Sequence, residues 1–294
     1  KKIPISNSDG PGIKWDEFLE VTNNLISRKL TGHAARDKVL ILMKKSQKNE
    51  WNYFYKRILQ KDMRCGLSEK TINNVAKKNN LLEYAIPVFA CQLAQDSDSH
   101  KKKLTGEKIL EVKLDGVRVI SILYPNGQID FFSRNGKELV NFEHLQEELS
   151  KYILKNPIEK PFVLDGEIVS TNFQELMKQI HRKNSIQNND STLFLFDIIP
   201  FRSFKEGIEK ESYNKRSKLL DEWYFKNVQN KEKIKLISKT LVNLDTEEGK
   251  NLFKDFNKKA ILDGYEGIMI KDPYSFYECK RSTTWLKLKP VIEI

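Results

Sequence analysis

Residues 109–118, Ile-Leu-Glu-Val-Lys-Leu-Asp-Gly-Val-Arg, place a lysine, two carboxylates and an arginine in one short, otherwise apolar segment. Apolar and charged residues alternate here, and this period of two predicts a strand whose charged face carries Lys113 between Glu111 and Asp115. The glycine that follows permits a tight turn or the close approach of a ligand, and Arg118 adds a planar cation beyond it. A single Lys-x-Asp-Gly sequence also fits an ordinary half-buried strand, so the other segments of the chain decide between these interpretations.

Four further segments carry charged side chains on predicted strands or at strand ends. They are residues 133–136 (Ser-Arg-Asn-Gly), 163–167 (Val-Leu-Asp-Gly-Glu), 266–271 (Glu-Gly-Ile-Met-Ile-Lys) and 285–289 (Trp-Leu-Lys-Leu-Lys). Asp165 and Glu167 share one strand face, a pattern that fits a solvated strand as well as a functional site. Lys287 and Lys289 also share a face, and two such cations repel each other unless an anion lies between them. The paired lysines therefore indicate an anion-binding site.

The composition indicates a globular protein with a polyanionic partner. The 294 residues carry a formal net charge of +11, and such an excess favours nucleic acid. No stretch approaches the roughly 18 apolar residues of a membrane helix. Cys65, Cys91 and Cys279 are widely spaced and odd in number, which predicts a reducing intracellular compartment without disulfides or a zinc finger. The chain has no signal peptide, and because it begins with Lys1 we do not expect this residue to be the natural start.

Residues 14–80 show the apolar spacing of several short helices, and we assign residues 1–86 to one helical domain. The first helix is expected to end at Thr31 and Gly32, which would form its C-cap. Lysines and arginines lie between the apolar stripes, and helix N-termini surrounded by lysines suit the phosphates of nucleic acid. Each of these charges taken alone fits a solvated helix face equally well.

From residue 87 the pattern changes to strands mixed irregularly with helices, which predicts an α+β domain with antiparallel sheets over residues 87–294. Residues 95–108 are interpreted as a polar loop, and residues 234–242 as one strand. Asn126-Gly127 predicts a two-residue hairpin turn. Asp245, with a glutamate three residues later, is expected to begin a helix in a capping-box arrangement.

Taken together, these segments resemble the covalent nucleotidyltransferases, and the ATP-dependent DNA ligases in particular, because six motifs follow the order found in that family. They are Lys113-Leu-Asp-Gly (motif I), Ser133-Arg134-Asn-Gly (Ia), Asp165-Gly-Glu167 (III), Leu195-Phe196-Asp197 (IIIa), residues 266–271 (IV) and residues 285–289 (V). One such motif is a weak indication, whereas six in order are a strong one, and the resemblance covers essentially the whole chain. Residues 28–32 and 64–67 are also similar to the helical domain of T-even phage ligases, and Arg281 fits that group.

The resemblance implies an all-helical N-terminal DNA-binding domain, partial because its first helices are missing. It is followed by an antiparallel-sheet nucleotidyltransferase domain of the ATP-grasp-like adenylation type. The family continues after motif V into an OB-fold with motif VI, whereas this chain stops at Ile294. We therefore expect a fragment of a longer ligase, which would act as a monomer on nicked duplex DNA in replication, repair and recombination.

The resemblance also implies the reaction. Lys113 attacks the α-phosphate of ATP, forms a lysyl–AMP phosphoramidate and releases pyrophosphate. AMP then passes to the 5′-phosphate of a nick, and the 3′-hydroxyl displaces it to seal the strand. The attacking lysine must be neutral, whereas an ordinary lysine is almost entirely protonated at pH 7. We expect Lys287, Lys289 and a bound Mg²⁺ to favour the neutral form by repulsion, against the opposite influence of Glu111 and Asp115.

The family's motifs imply roles for the other residues at matching positions. Lys287 and Lys289 would contact the α-phosphate, Glu266 would hold the metal, and Glu167 would contact the metal or the ribose. The remaining nucleotide-binding residues would be Glu111, Arg118 (ribose, and later the 5′-phosphate of the nick), Arg134, Phe196 (stacked on adenine), Lys271 and Arg281. For Phe196, a purely structural place in the core stays open as an alternative.

Three rival functions remain at this point. An RNA ligase or an mRNA-capping guanylyltransferase would share the lysine chemistry, but a helical domain before motif I favours duplex DNA. A non-catalytic DNA-binding module is the alternative of a different class, and the complete set of charged motif residues argues against it.

Overall fold

A computed structural model describes residues 3–27, 29–60, 62, 64, 66, 69–81, 89–170 and 190–290. The chain forms two compact units, Lys1–Val88 and Phe89–Ile294. Arg28, Cys65 and Leu67, from the two short segments similar to phage ligases, lie outside the described residues. Within the described ranges, no helix is both long enough and apolar enough to cross a membrane.

The described part of the first unit is helical, and its core is a small cluster of aromatic and aliphatic side chains. Phe18, Leu42, Trp51 and Tyr55 are buried together, and the rings of Phe18 and Tyr55 lie 4.7 Å apart. The helices are Trp15–Ile26, Gly32–Lys45, Lys48–Glu50, Lys56–Gln60 and Glu69–Lys78, with a π-helical turn at Trp51–Tyr55. These residues thus form the helices that the apolar stripes predict.

The first helix ends earlier than predicted. The hydroxyl of Ser27 donates to the carbonyl of Asn23 at 2.8 Å, which satisfies a carbonyl at the helix end without a glycine. Thr31 has an extended backbone and precedes the second helix, whose first residue is Gly32. The predicted C-cap was therefore wrong, because these two residues begin a helix.

The second unit is built on two five-stranded sheets and one two-stranded sheet. Its strands are β1 Leu93–Asp96, β2 Glu107–Val112, β3 Val117–Leu123, β4 Ile129–Ser133, β5 Phe162–Ser170, β6 Ser191–Pro200, β7 Ile208–Glu209, β8 Ile234–Leu236, β9 Thr240–Asn243, β10 Ile268–Lys271, β11 Tyr277–Glu278 and β12 Arg281–Leu288. The first sheet has the order β1-β12-β10-β2-β9, the second has β4-β3-β5-β6-β8, and β11 pairs with β7. The predicted antiparallel sheets are correct except for two parallel pairs, β1 with β12 and β6 with β8.

Each large sheet buries one face against helices and the other against a shared core. Leu110, Ile268 and Leu286 of the first sheet pack with Ala260 of the helix Glu247–Leu262. The outer face of the second sheet packs against the helices Glu143–Lys155 and Tyr213–Asn227. The shared core contains residues of both sheets and of the loop between β2 and β3, which are Ile120, Ile122, Val163, Phe196 and Ile199 of the second sheet, Trp285 of the first, and Leu114 of the loop. The two sheets therefore face each other, and side chains on their inner faces can form one site.

The chain crosses from one sheet to the other within the segment that carries the reactive lysine. Strand β2 ends at Val112 and β3 begins at Val117, so the predicted strand over residues 109–118 is in fact two strands joined by a four-residue loop. The amide of Lys113 still donates to the carbonyl of Gly267 at 2.8 Å. A Cβ atom on Gly116 would lie 2.3 Å from the carbonyl oxygen of Ile168, so this crossing needs a glycine.

Two predicted loops differ from the prediction: residues 95–108 contain secondary structure, and the turn between β3 and β4 is longer than two residues. Residues 95–108 contain the end of β1, a 3₁₀ helix over Asp98–Lys103 and the start of β2, rather than a continuous polar loop. The hairpin between β3 and β4 closes through a hydrogen bond from the amide of Tyr124 to the carbonyl of Gln128 at 3.0 Å. Its loop has three residues, and Gly127 takes the positive φ of 84° that this longer turn requires.

Residues 234–242 form two strands in different sheets, not one. Strand β8 pairs with β6, whereas β9 pairs with β2 in the other sheet. The cap of the next helix also differs from the prediction, because the Thr246 hydroxyl accepts from the amide of Gly249 at 3.0 Å. Asp245 instead accepts from the amide of Gly106 at 2.9 Å and fixes the start of β2.

Candidate active site

One pocket of about 590 Å³ lies on the inner faces of the two sheets. Every residue that the sequence predicts for nucleotide or metal binding lines it. These residues are Glu111, Lys113, Arg118, Arg134, Glu167, Phe196, Glu266, Lys271, Arg281, Lys287 and Lys289. The structure thus brings together side chains from segments that are up to 178 residues apart in the sequence, from Glu111 to Lys289.

Lys113 and Lys289 share a single carboxylate. The ammonium groups of both lysines donate to opposite oxygens of Glu266. Burial alone would raise the pKa of Glu266, but the hydrogen bonds from these two lysines outweigh it and lower the pKa below its usual value. Glu266 is therefore an ionised partner that holds the lysine of motif I at the pocket.

The sequence predicted an anion between Lys287 and Lys289. The carboxylate of Glu266 is such an anion for one of these two lysines. Lys289 is engaged by Glu266, whereas the ammonium of Lys287 makes no ion pair within the described ranges. Arg281 is exposed and donates to the carbonyl of Ala94 at 2.5 Å. Arg134 is exposed where the hairpin of β3 and β4 ends. Lys287, Arg281 and Arg134 form a cationic rim that suits a polyphosphate.

Arg118 is held in a fixed orientation by the buried carboxylate of Asp165. Its Nε and Nη2 atoms donate to the two oxygens of Asp165 at 2.5 and 2.6 Å, and Nη2 also donates to the carbonyl of Gln92 at 3.1 Å. Asp165 is fully buried and accepts a further hydrogen bond from the hydroxyl of Tyr277 at 2.6 Å. Burial opposes the charge on Arg118, but Asp165 outweighs it and raises the pKa of the guanidinium. Arg118 is thus a permanently charged group of fixed orientation.

Glu167 is a half-buried carboxylate that lines the pocket. Burial is the main cause that raises its pKa to about 7, and the negative charges of Asp165 and Glu266 add to this, whereas Arg118 and Lys113 oppose it. Among the described side chains, none donates a hydrogen bond to its oxygens. A divalent cation would stabilise the charged form of such a group.

The donor set of the pocket fits Mg²⁺ in part. Glu167 and Glu266 both line the pocket and supply the carboxylate oxygens that this ion prefers. The described part of the chain contains no cluster of three or more His, Cys, Asp or Glu side chains with metal-binding geometry. Mg²⁺ commonly binds through one or two carboxylates and completes its shell with water and substrate phosphates, so two carboxylates suffice.

The closed end of the pocket contains a buried ion pair in an aromatic cage. Lys271 and Glu111 are each only 1% exposed, and the ammonium lies 2.7 Å from the carboxylate. The same ammonium lies 4.1 Å from the ring centre of Trp285 and 4.5 Å from that of Phe196. Burial lowers the pKa of Lys271, although the negative charge of Glu111 opposes this. The aromatic faces partly replace the lost hydration of the ammonium.

Phe196 packs in the hydrophobic core and also lines the pocket. Its side chain is 7% exposed and packs edge-on against Trp285, with ring centres 6.0 Å apart. The guanidinium of Arg118 lies 4.8 Å from its ring centre. The structural alternative for Phe196 is therefore correct as far as packing is concerned, and it does not exclude contact with a base, because the residue also lines the pocket.

Sequence reasoning missed the residues that hold the site residues in place. Tyr213 and Tyr277 are buried tyrosines whose hydroxyls contact Glu111 and Asp165, and Gln92 connects β1 to Arg118. Asp165 was named only as part of a motif, without a role. An uncharged tyrosine in a predicted helix gives no local signal of a carboxylate partner, since that partner lies 102 residues away for Tyr213.

The comparisons with known proteins identify the family of the chain. The family model described as "ATP dependent DNA ligase domain" matches residues 89–289. The DNA ligase of Methanothrix thermoacetophila is 28% identical over 236 residues, which cover 74% of this chain and 39% of that protein. DNA ligase 2 of Methanosarcina acetivorans is 29% identical over 221 residues, which cover 71% of this chain and 37% of that protein. The chain spans well under half the length of these two relatives.

Solved structures extend the likeness to the fold. The structure named Pmar-Lig_PreS3 is 46% identical and has a TM-score of 0.86, with 98% of this chain and 66% of that chain covered. The ATP-dependent DNA ligase of bacteriophage T7, solved as a complex with ATP, is 20% identical and has a TM-score of 0.50, with 68% and 67% covered. At this identity the second likeness concerns the mixed α and β fold of the nucleotidyltransferase domain. Because the family match spans more than half of the chain and includes every residue of the predicted site, the resemblance is confirmed, and the chain belongs to the ATP-dependent DNA ligase family.

Proposed function

We propose that this chain carries the adenylyl-transfer site of an ATP-dependent DNA ligase that seals nicks in duplex DNA. The observation that carries the proposal is the convergence of a lysine, two carboxylates and a cationic rim on one pocket. Its volume, about 590 Å³, lies within the usual range for sites that bind small molecules and cofactors. The family membership adds the expectation that the nucleotide is ATP.

The burial gradient of the pocket supports one orientation of the nucleotide. The closed end offers Phe196 as a flat apolar surface and Glu111 as a hydrogen-bond acceptor, which suit a purine base. Lys287, Arg134 and Arg281 lie towards the exposed side, where a triphosphate would keep part of its hydration. Arg118, whose guanidinium lies 4.8 Å from the ring centre of Phe196, would contact the ribose.

In this arrangement Lys113 is the nucleophile. Its nitrogen lone pair forms a P–N bond to the α-phosphorus of ATP, and the bond from this phosphorus to the bridging oxygen breaks, so pyrophosphate leaves with that electron pair. The nitrogen must first lose a proton, and the carboxylate of Glu266 is already in contact with it. Lys287 and Lys289 would stabilise the negative charge that develops on the α-phosphate.

Glu167 and Glu266 are the residues that would hold Mg²⁺. When bound, this ion supplies neutralisation of phosphate charge. The protein contributes the orientation of its ligands, because Glu167 lies directly opposite Arg118 in the ladder between β5 and β3. This pairing supports a position of the carboxylate next to the proposed ribose and phosphate sites.

The second substrate would be nicked DNA, bound in part by the helical unit. The formal charge of +11 supports binding to a phosphate backbone. In the first unit Trp15 and Tyr53 are exposed by 48% and 64%, and the guanidinium of Arg57 lies 5.4 Å from the ring centre of Tyr53. Exposed aromatic and cationic side chains together are typical of surfaces that contact nucleic acid.

The proposal is tested by intact mass after incubation of the chain with ATP and Mg²⁺. We expect a gain of one AMP, located on Lys113 by peptide mapping, and no gain with GTP. The Lys113→Ala variant should show no gain and should keep its affinity for nicked duplex DNA within about threefold. An adduct on Lys113→Ala would remove Lys113 as the nucleophile, and a covalent GMP on the unchanged chain would favour the capping reaction instead.

A further inference from the structure

Tyr213 is a buried residue that contacts Glu111 and Lys271 at the closed end of the pocket, and the chemistry above does not use it. It is the first residue of the helix Tyr213–Asn227, and its side chain is fully buried. Its hydroxyl donates to one oxygen of Glu111 and lies 3.3 Å from the carbonyl oxygen of Phe196. The ammonium of Lys271 donates to the same hydroxyl at 3.3 Å. One phenolic oxygen therefore connects the carboxylate, the buried ammonium and the backbone of the proposed base-stacking residue.

The two oxygens of Glu111 have different partners. Tyr213 holds Oε1, and Lys271 holds Oε2 at 2.7 Å. A carboxylate can accept about four hydrogen bonds, so each oxygen keeps capacity for a ligand. Without the tyrosine hydroxyl, only Lys271 would restrain the carboxylate, and rotation about the last side-chain bond of Glu111 is soft.

The hydroxyl acts as a donor at all ordinary pH values. Burial and the negative charge of Glu111 raise the pKa of Tyr213 well above its usual value. The ring also packs edge-on against Trp285, with centres 6.2 Å apart. The phenol is therefore fixed in both orientation and protonation state.

We infer that Tyr213 is a positioning residue that orients the carboxylate of Glu111 to accept a hydrogen bond from the exocyclic amine of adenine, and thereby sets the preference for ATP over GTP. The inference rests on the proposed function. Adenine presents an amine donor at the position where guanine presents a carbonyl acceptor. A fixed carboxylate attracts the first and repels the second, and a site built around a buried hydrogen-bonding group rejects a ligand that leaves it unpaired.

The test uses equilibrium binding of the α,β-methylene analogues of ATP and GTP, which cannot transfer their nucleotide. The Tyr213→Phe variant keeps the ring and removes the hydroxyl. We expect its Kd for the ATP analogue to rise about tenfold, with less than a twofold change for the GTP analogue, so that the preference falls about tenfold. A tenfold change corresponds to about 1.4 kcal/mol, within the range for one hydrogen bond to a charged group.

Tyr224→Phe is the matched control. Tyr224 lies in the same helix, is also buried, and donates to the carbonyl of Ile234 at 3.1 Å, outside the pocket. A general loss of stability would affect both variants, whereas the nucleotide preference should change only for Tyr213→Phe. An unchanged preference in a folded Tyr213→Phe variant, or an equal change in both variants, would overturn the inference.

A second variant covers the case in which Tyr213→Phe does not fold. Para-aminophenylalanine at position 213 keeps a weaker donor in the same place, and we expect the preference to fall about threefold. A preference that falls tenfold or more although this donor is kept would overturn the positioning role. The failure of the proposed function is distinguishable, because the unchanged chain would then bind neither analogue or would prefer the GTP analogue.

Discussion

Replacement of Asp165 by asparagine tests whether the buried Arg118–Asp165 pair holds the centre of the site together. The change keeps the shape of the side chain and replaces one accepting oxygen by an amide group. Both oxygens of Asp165 accept from Arg118, and Tyr277 donates to one of them. The new amide must therefore face a donor, and the guanidinium, whose side chain is only 16% exposed, loses its counter-charge.

Removal of one partner from a buried ion pair typically costs about 3–5 kcal/mol. For a unit of this size, each kcal/mol lowers the Tm by roughly 2–4 °C, so the expected decrease is about 6–20 °C. The assay is thermal and urea unfolding of the intact chain. The Glu206→Gln variant is the control, since its pair with Arg202 lies on the surface, and we expect no measurable change there.

A double-mutant cycle separates the ion pair from simple packing. The Arg118→Met variant removes the charge and keeps much of the side-chain volume. If the pair is the cause, Asp165→Asn combined with Arg118→Met should be at least 1 kcal/mol more stable than the sum of the two single changes predicts. Additive effects, or a loss below about 1 kcal/mol for Asp165→Asn, would refute the reasoning.

Three further predictions follow from individual residues. Because burial raises the pKa of Glu167 from its usual value of 4.5 to about 7, the folded chain binds this proton more tightly than the unfolded chain. Stability should therefore fall as pH rises from about 4.5 to 7, and Glu167→Gln should remove this part of the slope in urea titrations; an unchanged slope would contradict the assignment. Cys91 is buried and Cys279 is half-buried, and burial raises the pKa of Cys91 to about 11 and that of Cys279 to about 12, so iodoacetamide at pH 7.5 should label Cys91 only after denaturation and Cys279 slowly, whereas rapid labelling of Cys91 in the native chain would count against its burial. Gly116→Ala places a methyl group against the Ile168 carbonyl and should cost about 1–3 kcal/mol and reduce adenylation of Lys113, with wild-type adenylation as the contrary outcome.

Much of the fold was predictable because periodicity reports burial directly. Residues 163–167, predicted to lie on a strand, fall within β5, since Val163 and Leu164 are buried in the cores on its two faces. The prediction of one strand over residues 234–242 was wrong, although the sequence is strand-like throughout. The amide of Ile237 donates to the carbonyl of Leu195 in one sheet, whereas β9 pairs with β2 in the other. A choice between two sheets depends on distant partners and leaves no local pattern.

In the site too, features with a local sequence pattern were predictable, and features that depend on distant partners were not. Charged residues in short motifs were identifiable because a charge next to a buried strand needs an explanation. Their partners were not, since Tyr213 contributes only a neutral hydroxyl from another part of the chain. Asp245 illustrates the ambiguity on a smaller scale: aspartate and threonine are both good N-caps, and only the long-range bond from Gly106 assigns Asp245 to a different task.

The contacts of Glu266 suggest how nucleotide binding and nucleophile activation are connected in the proposed reaction. In the structure this one carboxylate holds both Lys113 and Lys289, and its ionised state depends on them. A triphosphate beside Lys287 would bring a much stronger anion to the same place and compete with Glu266 for Lys289. Loss of that lysine would favour protonation of Glu266, because a carboxylate with fewer cationic partners holds a proton more tightly. In the proposed reaction, the nucleotide that Lys113 attacks would therefore make Glu266 a better acceptor of the lysine proton when the α-phosphate is in place.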